Sequence, residues 1–342
     1  MVFLASVLHL YGVGAISVIC VMVVVFLGGL LMMYRATDVM IGKSQPIRDV
    51  FNMVERVASS QANILIQGES GVGKELVAQA IHHQSARKNE PFVVIDCTAL
   101  QETLLESELF GHERGAYTSA THLKYGLFEV AHGGVVLLDE IGELCPTIQS
   151  KLLRVLETGT FRRVGGTRDI HVDVRVLAAT NRNLEQLVTE GAFREDLYYR
   201  LNVVSIQVPP LRARPQDIPH LVYHFISRSN QQTVQGVSDD VMALLMRYPW
   251  PGNVRELRNI IERAALLSKN KCIDIEDLPM VLRNGYGLRS HSNCGFYTLR
   301  EAECNHIANV LSQVCGHRKR AAEILGISER QLYRKLSQHN LS

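Results

Sequence analysis

Gly68-Glu69-Ser70-Gly71-Val72-Gly73-Lys74-Glu75 sets three glycines and a lysine within eight residues. The apolar run Ile64-Leu65-Ile66 leads in, and Leu76, Val77, Ala80 and Ile81 follow at helical spacing. Strand, glycine-rich loop and helix in that order are the context a phosphate-binding loop requires. The glycines let backbone N–H groups curl around a polyphosphate, the helix N-terminus adds positive potential, and Lys74 reaches the outer phosphates. Roughly 65 residues beyond Lys74, Val135-Val136-Leu137-Leu138-Asp139-Glu140 reads as a second buried strand ending in two carboxylates. Asp139 is then the candidate Mg²⁺ ligand, and Glu140 the candidate to polarise an attacking water. Together the two motifs imply hydrolysis of a nucleoside triphosphate. Glu75 departs from the usual pattern, in which Ser or Thr follows the lysine and ligates Mg²⁺, so the metal geometry is open here.

These groups need a rigid frame, and the chain supplies one. Its 342 residues predict two or three folded units, and 46% hydrophobic residues can fill a sizeable core. Between Ile41 and about Val208, apolar strands alternate with amphipathic helices, which predicts an α/β unit with a mainly parallel sheet. The strand candidates are Ile64–Gln67, Phe92–Asp96, Val135–Asp139, Val174–Ala179 and Val203–Val208. Pro209-Pro210 ends that pattern, and residues 211–282 read as all-helical. Residues 283–297, rich in Gly, Ser and Asn, read as a linker. Net charge is only +2, from 36 basic and 34 acidic residues, so any polyanion-binding signal must be local. The seven cysteines form no Cys-x-x-Cys pair and read as reduced thiols. His82, His83, His122 and His132 have no metal-ligand spacing.

With Glu75 included, the loop resembles the AAA+ ATPase domain of bacterial enhancer-binding proteins, the activators of sigma-54 RNA polymerase, which carry Glu there. Five further blocks resemble the same family in order: Glu106 to Ala120, Leu138 to Leu144, Arg175 to Asn181, Phe193 to Leu201 and Tyr248 to Leu257. The likeness covers about 240 residues, Ile41 to Leu282, and resumes at the C-terminus. It implies an α/β fold: a parallel-sheet ATPase subdomain over 37–209 and a helical lid over 210–282. It also implies ATP with Mg²⁺, a homo-oligomeric and hexameric ring, and sigma-54 polymerase holoenzyme as partner.

By the same resemblance, Gly68, Glu69, Ser70, Gly71, Val72, Gly73, Lys74 and Glu75 hold nucleotide, with Asp139 and, from the lid, Arg255. Thr180 and Asn181 sense the terminal phosphate. Arg194 and Arg200 act across the subunit boundary, at least one of them as a finger on the neighbour's γ-phosphate. Six residues apart, on a regular helix they would point about 120° from each other. Asp96 stands where many relatives have an Asn that restrains the catalytic glutamate, and an ionised Asp can accept a hydrogen bond but not donate one. The loop Gly115, Ala116, Tyr117, Thr118, Ser119, Ala120 matches the family's sigma-54-contacting loop, there Gly-Ala-Phe-Thr-Gly-Ala. Tyr117 keeps the ring, with its added hydroxyl expected in solvent at an exposed tip. Ser119 puts a Cβ where the family has none. The rival reading is a sigma-54-independent regulator or repressor that uses the ATPase fold mainly to oligomerise.

The two ends carry separate signals. No Asp, Glu, Lys or Arg occurs in residues 1–34, and the 22 residues from Gly12 to Met33 are nearly all apolar. As a helix they would span about 33 Å, enough to cross a hydrocarbon core. Arg35, Lys43 and Arg48 follow, so the positive-inside bias predicts a single-pass inner-membrane anchor over residues 1–36, with the bulk of the chain cytoplasmic. At the other end, residues 298–342 predict a helix over Leu299–Val314, then helices over Arg318–Leu325 and Glu329–Gln338 joined by Gly326-Ile327-Ser328. Ser328 is a candidate N-cap. Six Lys and Arg between His317 and Lys335, against two Glu, make a local basic patch of the kind that binds DNA phosphates. Ala321 to Ser328 resembles the Fis-type DNA-binding domain. Arg318, Lys319, Arg330, Gln331, Arg334 and Lys335 are the candidate contacts to double-stranded DNA.

Overall fold

The computed structural model describes residues 40–117, 120–229, 234–287, 307, 310 and 317–338. The uncharged stretch at 1–34 lies outside them, as do Thr118, Ser119 and most of the helix expected at Leu299–Val314. The chain divides into two units between Leu282 and Arg283.

The first unit opens with helix α1 (Gln45–Ala58), strand β1 (Ile64–Gln67), helix α2 (Lys74–His83) and strand β2 (Phe92–Asp96). Helices α3 (Glu102–Phe110) and α4 (Leu127–Val130), strand β3 (Val135–Asp139) and helix α5 (Pro146–Thr158) come next. An antiparallel pair of two-residue strands, β4 (Thr160–Phe161) with β5 (Ile170–His171), leads to β6 (Arg175–Thr180), α6 (Leu184–Thr189), α7 (Glu195–Leu201) and β7 (Val204–Gln207). The five long strands are all parallel, in the order β2-β3-β6-β1-β7.

Strand alternation sorts side chains onto two cores. Leu65, Val136, Leu138, Val176 and Ala178 pack on one side with Leu109 and Phe110 of α3, Ile148 and Leu152 of α5 and Leu197 of α7. Ile64, Ile66, Leu137, Leu177 and Ala179 pack on the other with Val50 and Val54 of α1 and Val77 and Ile81 of α2. A parallel sheet covered on both faces reads as continuous apolar runs, as these strands do. Buried Arg175 spans the seam, donating to the carbonyls of Val57 and Ala58 at the end of α1, at 2.8 and 2.9 Å. The Val57 carbonyl also takes the Ser60 N–H at 3.1 Å, and the guanidinium adds to the partners of these helix-end acceptors.

The lid comprises α8 (Ile218–Arg228), α9 (Asp239–Arg247), α10 (Asn253–Leu267) and α11 (Met280–Gly287). It is not wholly helical, as the sequence pattern had implied. Strands β8 (Gly236–Val237) and β9 (Cys272–Ile273) form a short parallel ladder. There the β-branched pair Val237 and Ile273 ties the segment before α9 to the segment after α10. The lid core holds Trp250, fully buried, with its indole N–H on the Leu245 carbonyl at 2.8 Å.

In the second unit, α12 (Arg318–Leu325) and α13 (Glu329–Gln338) pack Ala321, Ala322, Leu332 and Leu336 against Ile307 and Val310. Gly326 stops α12 in the left-handed conformation, φ +65°. That C-cap costs a glycine little.

Candidate functional site

The catalytic candidates gather at the carboxyl ends of the parallel strands, where open α/β sheets place ligands. The register sets Gln67 beside Thr180 and Asp96 beside Asp139, so loops after β1, β2, β3 and β6 converge. The phosphate loop leaves β1 and turns into α2, whose first residue is Lys74. Lys74 is buried, and its Nζ donates to the Gly68 carbonyl and to Glu140 Oε1, both at 3.1 Å.

Glu140 holds φ +51°, which few non-glycine residues adopt and which active sites often store. Its second carboxylate oxygen accepts the Asn181 backbone N–H at 3.1 Å. Asn181 thus reaches the glutamate through its main chain, while Thr180, fully buried, takes the Arg182 N–H on its hydroxyl at 3.0 Å. The Asp96 carboxylate turns to its own loop instead, accepting the Thr98 N–H at 2.8 Å and the Thr98 hydroxyl at 2.6 Å. The restraint on Glu140 therefore comes from Lys74 and Asn181 and not from Asp96, whose acceptor-only oxygens find donors two residues away.

Burial, with the nearby Glu140 charge, pushes the Asp139 carboxyl above its ordinary value, and Lys74 opposes the rise. A carboxylate that is costly to ionise alone is a good seat for a cation. Mg²⁺ keeps several waters and takes only one or two protein carboxylates alongside phosphate oxygens, so Asp139 fits that ion without the missing hydroxyl. Glu75, in the hydroxyl's place, accepts from Gln79 Nε2 one turn along α2 at 3.2 Å.

The loop's outer side is held by the lid. Glu69 does not face the phosphate position: Arg212 grips its carboxylate at both oxygens, at 2.5 and 2.7 Å, and Asn253 Nδ2 adds a third bond at 3.1 Å. The Arg212 hydrogen bonds, then Asn253, hold this carboxyl down at about 2. Arg255 sits in the first turn of α10, as its place after Pro251-Gly252-Asn253 suggests. Its Nη1 bonds the Ser70 hydroxyl at 3.0 Å and its backbone N–H the Gly71 carbonyl at 3.2 Å. Arg214, buried, donates to the Val72 carbonyl at 3.0 Å. Sequence reading missed Arg212, Arg214 and Asn253. The available signals were two arginines just past Pro209-Pro210 and an Asn following Pro-Gly, a residue type that tolerates φ > 0.

Arg194 and Arg200 stand on the surface with different partners. Arg194 caps α7 from outside the helix, which begins at Glu195, so a regular-helix angle does not relate the two. It makes a two-pronged pair with Asp196 at 2.7 and 3.0 Å and touches the Ser150 hydroxyl at 3.2 Å. Arg200 donates twice to the Leu156 carbonyl in the last turn of α5, at 2.9 and 3.1 Å.

The loop at 115–120 rises from a tied base. The Glu113 N–H bonds the Val164 carbonyl at 3.0 Å, and Arg163 pairs with both Glu113 and Glu129. Within the loop, Gly115 N–H reaches the Ala120 carbonyl at 2.8 Å and Ala116 N–H the Glu113 carbonyl at 3.1 Å. The Tyr117 side chain is exposed, as the tip position had suggested, and its hydroxyl also has protein neighbours. It lies 3.2 Å from His112 Nδ1 and 3.4 Å from Ser107 Oγ, two buried groups themselves 2.7 Å apart.

In the second unit, Ser328 and Gln331 cap α13 reciprocally: Gln331 N–H reaches Ser328 Oγ at 3.3 Å, and Ser328 N–H reaches Gln331 Oε1 at 3.1 Å. This capping box occupies the amide oxygen that a two-pronged adenine contact would need. The Arg318 guanidinium lies 5.1 Å from the centre of the Tyr333 ring. Arg330, Arg334 and Lys319 are exposed, the first two on the side of α13 away from buried Leu332 and Leu336.

A parallel sheet with a phosphate loop after β1, paired carboxylates after β3 and a lid folded onto the loop defines an AAA+ P-loop NTPase. Residues 40–207 match the sigma-54 interaction domain, 212–293 the AAA+ ATPase lid domain and 298–339 the bacterial regulatory proteins of the Fis family. The chain belongs to the sigma-54 interaction family of bacterial regulators. It is 47% identical over 310 residues to the nitrogen fixation protein AnfA of Azotobacter vinelandii, covering 88% of this chain and 57% of AnfA. To the regulatory protein AtoC of Escherichia coli strain K12 it is 47% identical over 308 residues, covering 87% and 67%. NtrX from Brucella abortus, solved in complex with ATP, is similar at a TM-score of 0.69 and 37% identity, covering 88% of this chain and 70% of NtrX. The chain spans 57% of the length of AnfA and 44% of that of a Nif-specific regulatory protein from Herbaspirillum seropedicae.

Proposed function

We propose that the chain is an ATP-dependent transcriptional activator that binds upstream DNA and, as a ring, uses ATP hydrolysis to remodel sigma-54 RNA polymerase. The observation that carries this is the Lys74–Glu140–Asn181 constellation beneath a phosphate loop, in a chain whose 115–120 loop and C-terminal unit match the family. Gly71, Val72 and Gly73 offer N–H groups to the phosphates, and Lys74 supplies charge at the outer ones. Asp139 would hold Mg²⁺, which when bound neutralises phosphate charge. Glu140 accepts a proton from the attacking water once Lys74 exchanges its carboxylate for phosphate. Thr180 and Asn181 would sense the terminal phosphate, and the Asn181 N–H on Glu140 would pass its loss to the base. Arg194 and Arg200, on the outer surface, serve the neighbouring subunit's site. The test is retention of purified sigma-54 by the full chain in the presence of ADP with aluminium fluoride. Retention that needs the analogue supports the activator, and none under any nucleotide favours the sigma-54-independent regulator.

DNA binding belongs to the second unit. Arg330 and Arg334 lie four residues apart and outward on α13, the second helix of a helix-turn-helix, which enters the major groove. Affinity of the full chain for its DNA site should fall steeply and log-linearly with salt. Arg334→Ala should reduce that slope by about one if the residue meets a phosphate. A salt-independent affinity, or none for any DNA, contradicts this assignment.

Residues 1–36 are proposed as an inner-membrane anchor on their composition alone. Among the described residues, no helix is long and apolar enough to cross a membrane. The full chain should sediment with membranes and resist carbonate extraction, and recovery in the supernatant would remove the anchor.

A further inference from the structure

We propose that Asn253 and the Arg212–Glu69 ion pair are positioning residues that shape the phosphate-binding loop from its outer side, so that lid angle and phosphate affinity change together. The inference rests on the reading of that loop as a nucleotide site. It adds a mechanical link that runs through groups other than the lid arginine already matched to the family.

In a trans peptide the carbonyl of one residue and the N–H of the next point in opposite directions. The lid takes three consecutive carbonyls of the loop: Asn253 Nδ2 bonds that of Ser70 at 3.0 Å, Arg255 N–H that of Gly71 at 3.2 Å, and Arg214 that of Val72 at 3.0 Å. Fixing those carbonyls turns the N–H groups of Gly71, Val72 and Gly73 away from the lid contacts. Those are the donors a phosphate nest is made of.

Asn253 suits this task because every polar atom of its side chain is used. Oδ1 accepts the Leu211 N–H at 2.8 Å, while Nδ2 serves both Ser70 O and Glu69 Oε2. The residue is fully buried and held at φ +50°. One amide thus joins the start of the lid, the start of α10 and the phosphate loop. The backbones also touch: a Cβ on Gly71, itself at φ +77°, would come within 2.5 Å of the Gly252 carbonyl. Glu69 contributes the remaining link. Unpaired, its carboxylate would repel a triphosphate, whereas gripped by Arg212 it is both neutralised and fastened to the lid.

The experiment uses the full chain with Mg²⁺ and a fluorescent ADP analogue. Glu69→Arg or Arg212→Glu alone should weaken binding at least about tenfold, the scale of one lost charge-assisted hydrogen bond. The double reversal should recover to within about threefold of wild type. Glu69→Gln, a milder change at a half-exposed site, should raise KM for ATP by a larger factor than it lowers kcat. Melting curves check that each variant folds. If the double reversal is as weak as the two single losses multiplied, or Glu69→Gln leaves KM unchanged, the clamp is wrong while the ATP site stands. If wild type binds no nucleotide, the ATP site fails and the clamp with it.

Discussion

Glu140→Gln is expected to bind ATP at least as tightly as wild type and to hydrolyse it roughly 10²- to 10⁴-fold more slowly, the usual span for loss of a general base. Glutamine keeps the side chain's size and can still accept the Asn181 N–H, so the loop geometry at φ +51° is preserved. What disappears is the charge that polarises water and that pairs with Lys74 at 3.1 Å. This ion pair occupies both groups, so a phosphate that takes Lys74 frees Glu140 to act. Removing the charge therefore eases phosphate entry while stopping the chemistry. Single-turnover hydrolysis alongside nucleotide titration separates the two. Hydrolysis at the wild-type rate would remove Glu140 from the role of base.

Arg194→Ala is expected to retain ATP binding and to lose activity by about 10³-fold or more, the scale of an arginine finger. The two-pronged bond to Asp196 and the contact with Ser150 hold this guanidinium at the surface, and neither partner belongs to its own phosphate loop. Catalysis in trans then predicts a wild-type rate that climbs steeply with protein concentration. It also predicts complementation. Mixing Arg194→Ala with Glu140→Gln should restore part of the activity, because each supplies what the other lacks at a shared boundary. No recovery on mixing, together with a dilute protein as active per chain as a concentrated one, would place the site within a single subunit.

Much of this frame was legible in the sequence, and the reasons are physical. Buried parallel strands write themselves as apolar runs, so β1, β2 and β3 coincide with Ile64–Gln67, Phe92–Asp96 and Val135–Asp139. The last two helices announce themselves through Gly326 and Ser328, a C-cap and an N-cap set by local backbone chemistry. Long-range pairing left no such mark. Asn253 meets Glu69 across 184 residues and Arg212 meets it across 143. Nothing in the spacing of Pro251-Gly252-Asn253 says which carbonyl its amide will serve. Asp96 shows the opposite case: an acceptor-only carboxylate followed two residues later by Thr98 finds its donors locally. The exposed tip at Tyr117 was legible from the loop, but the buried Ser107–His112 pair beside its hydroxyl was not.

Open-complex formation at a sigma-54 promoter measures most directly whether hydrolysis at this site remodels sigma-54 polymerase. With wild-type protein, promoter melting should appear only with hydrolysable ATP and fail with a non-hydrolysable analogue. Lys74→Ala and Glu140→Gln should both abolish it while sigma-54 holoenzyme remains bound in its closed complex. Promoter melting that proceeds without ATP hydrolysis, or a wild-type protein that hydrolyses ATP in a ring yet never opens the promoter, would contradict the account.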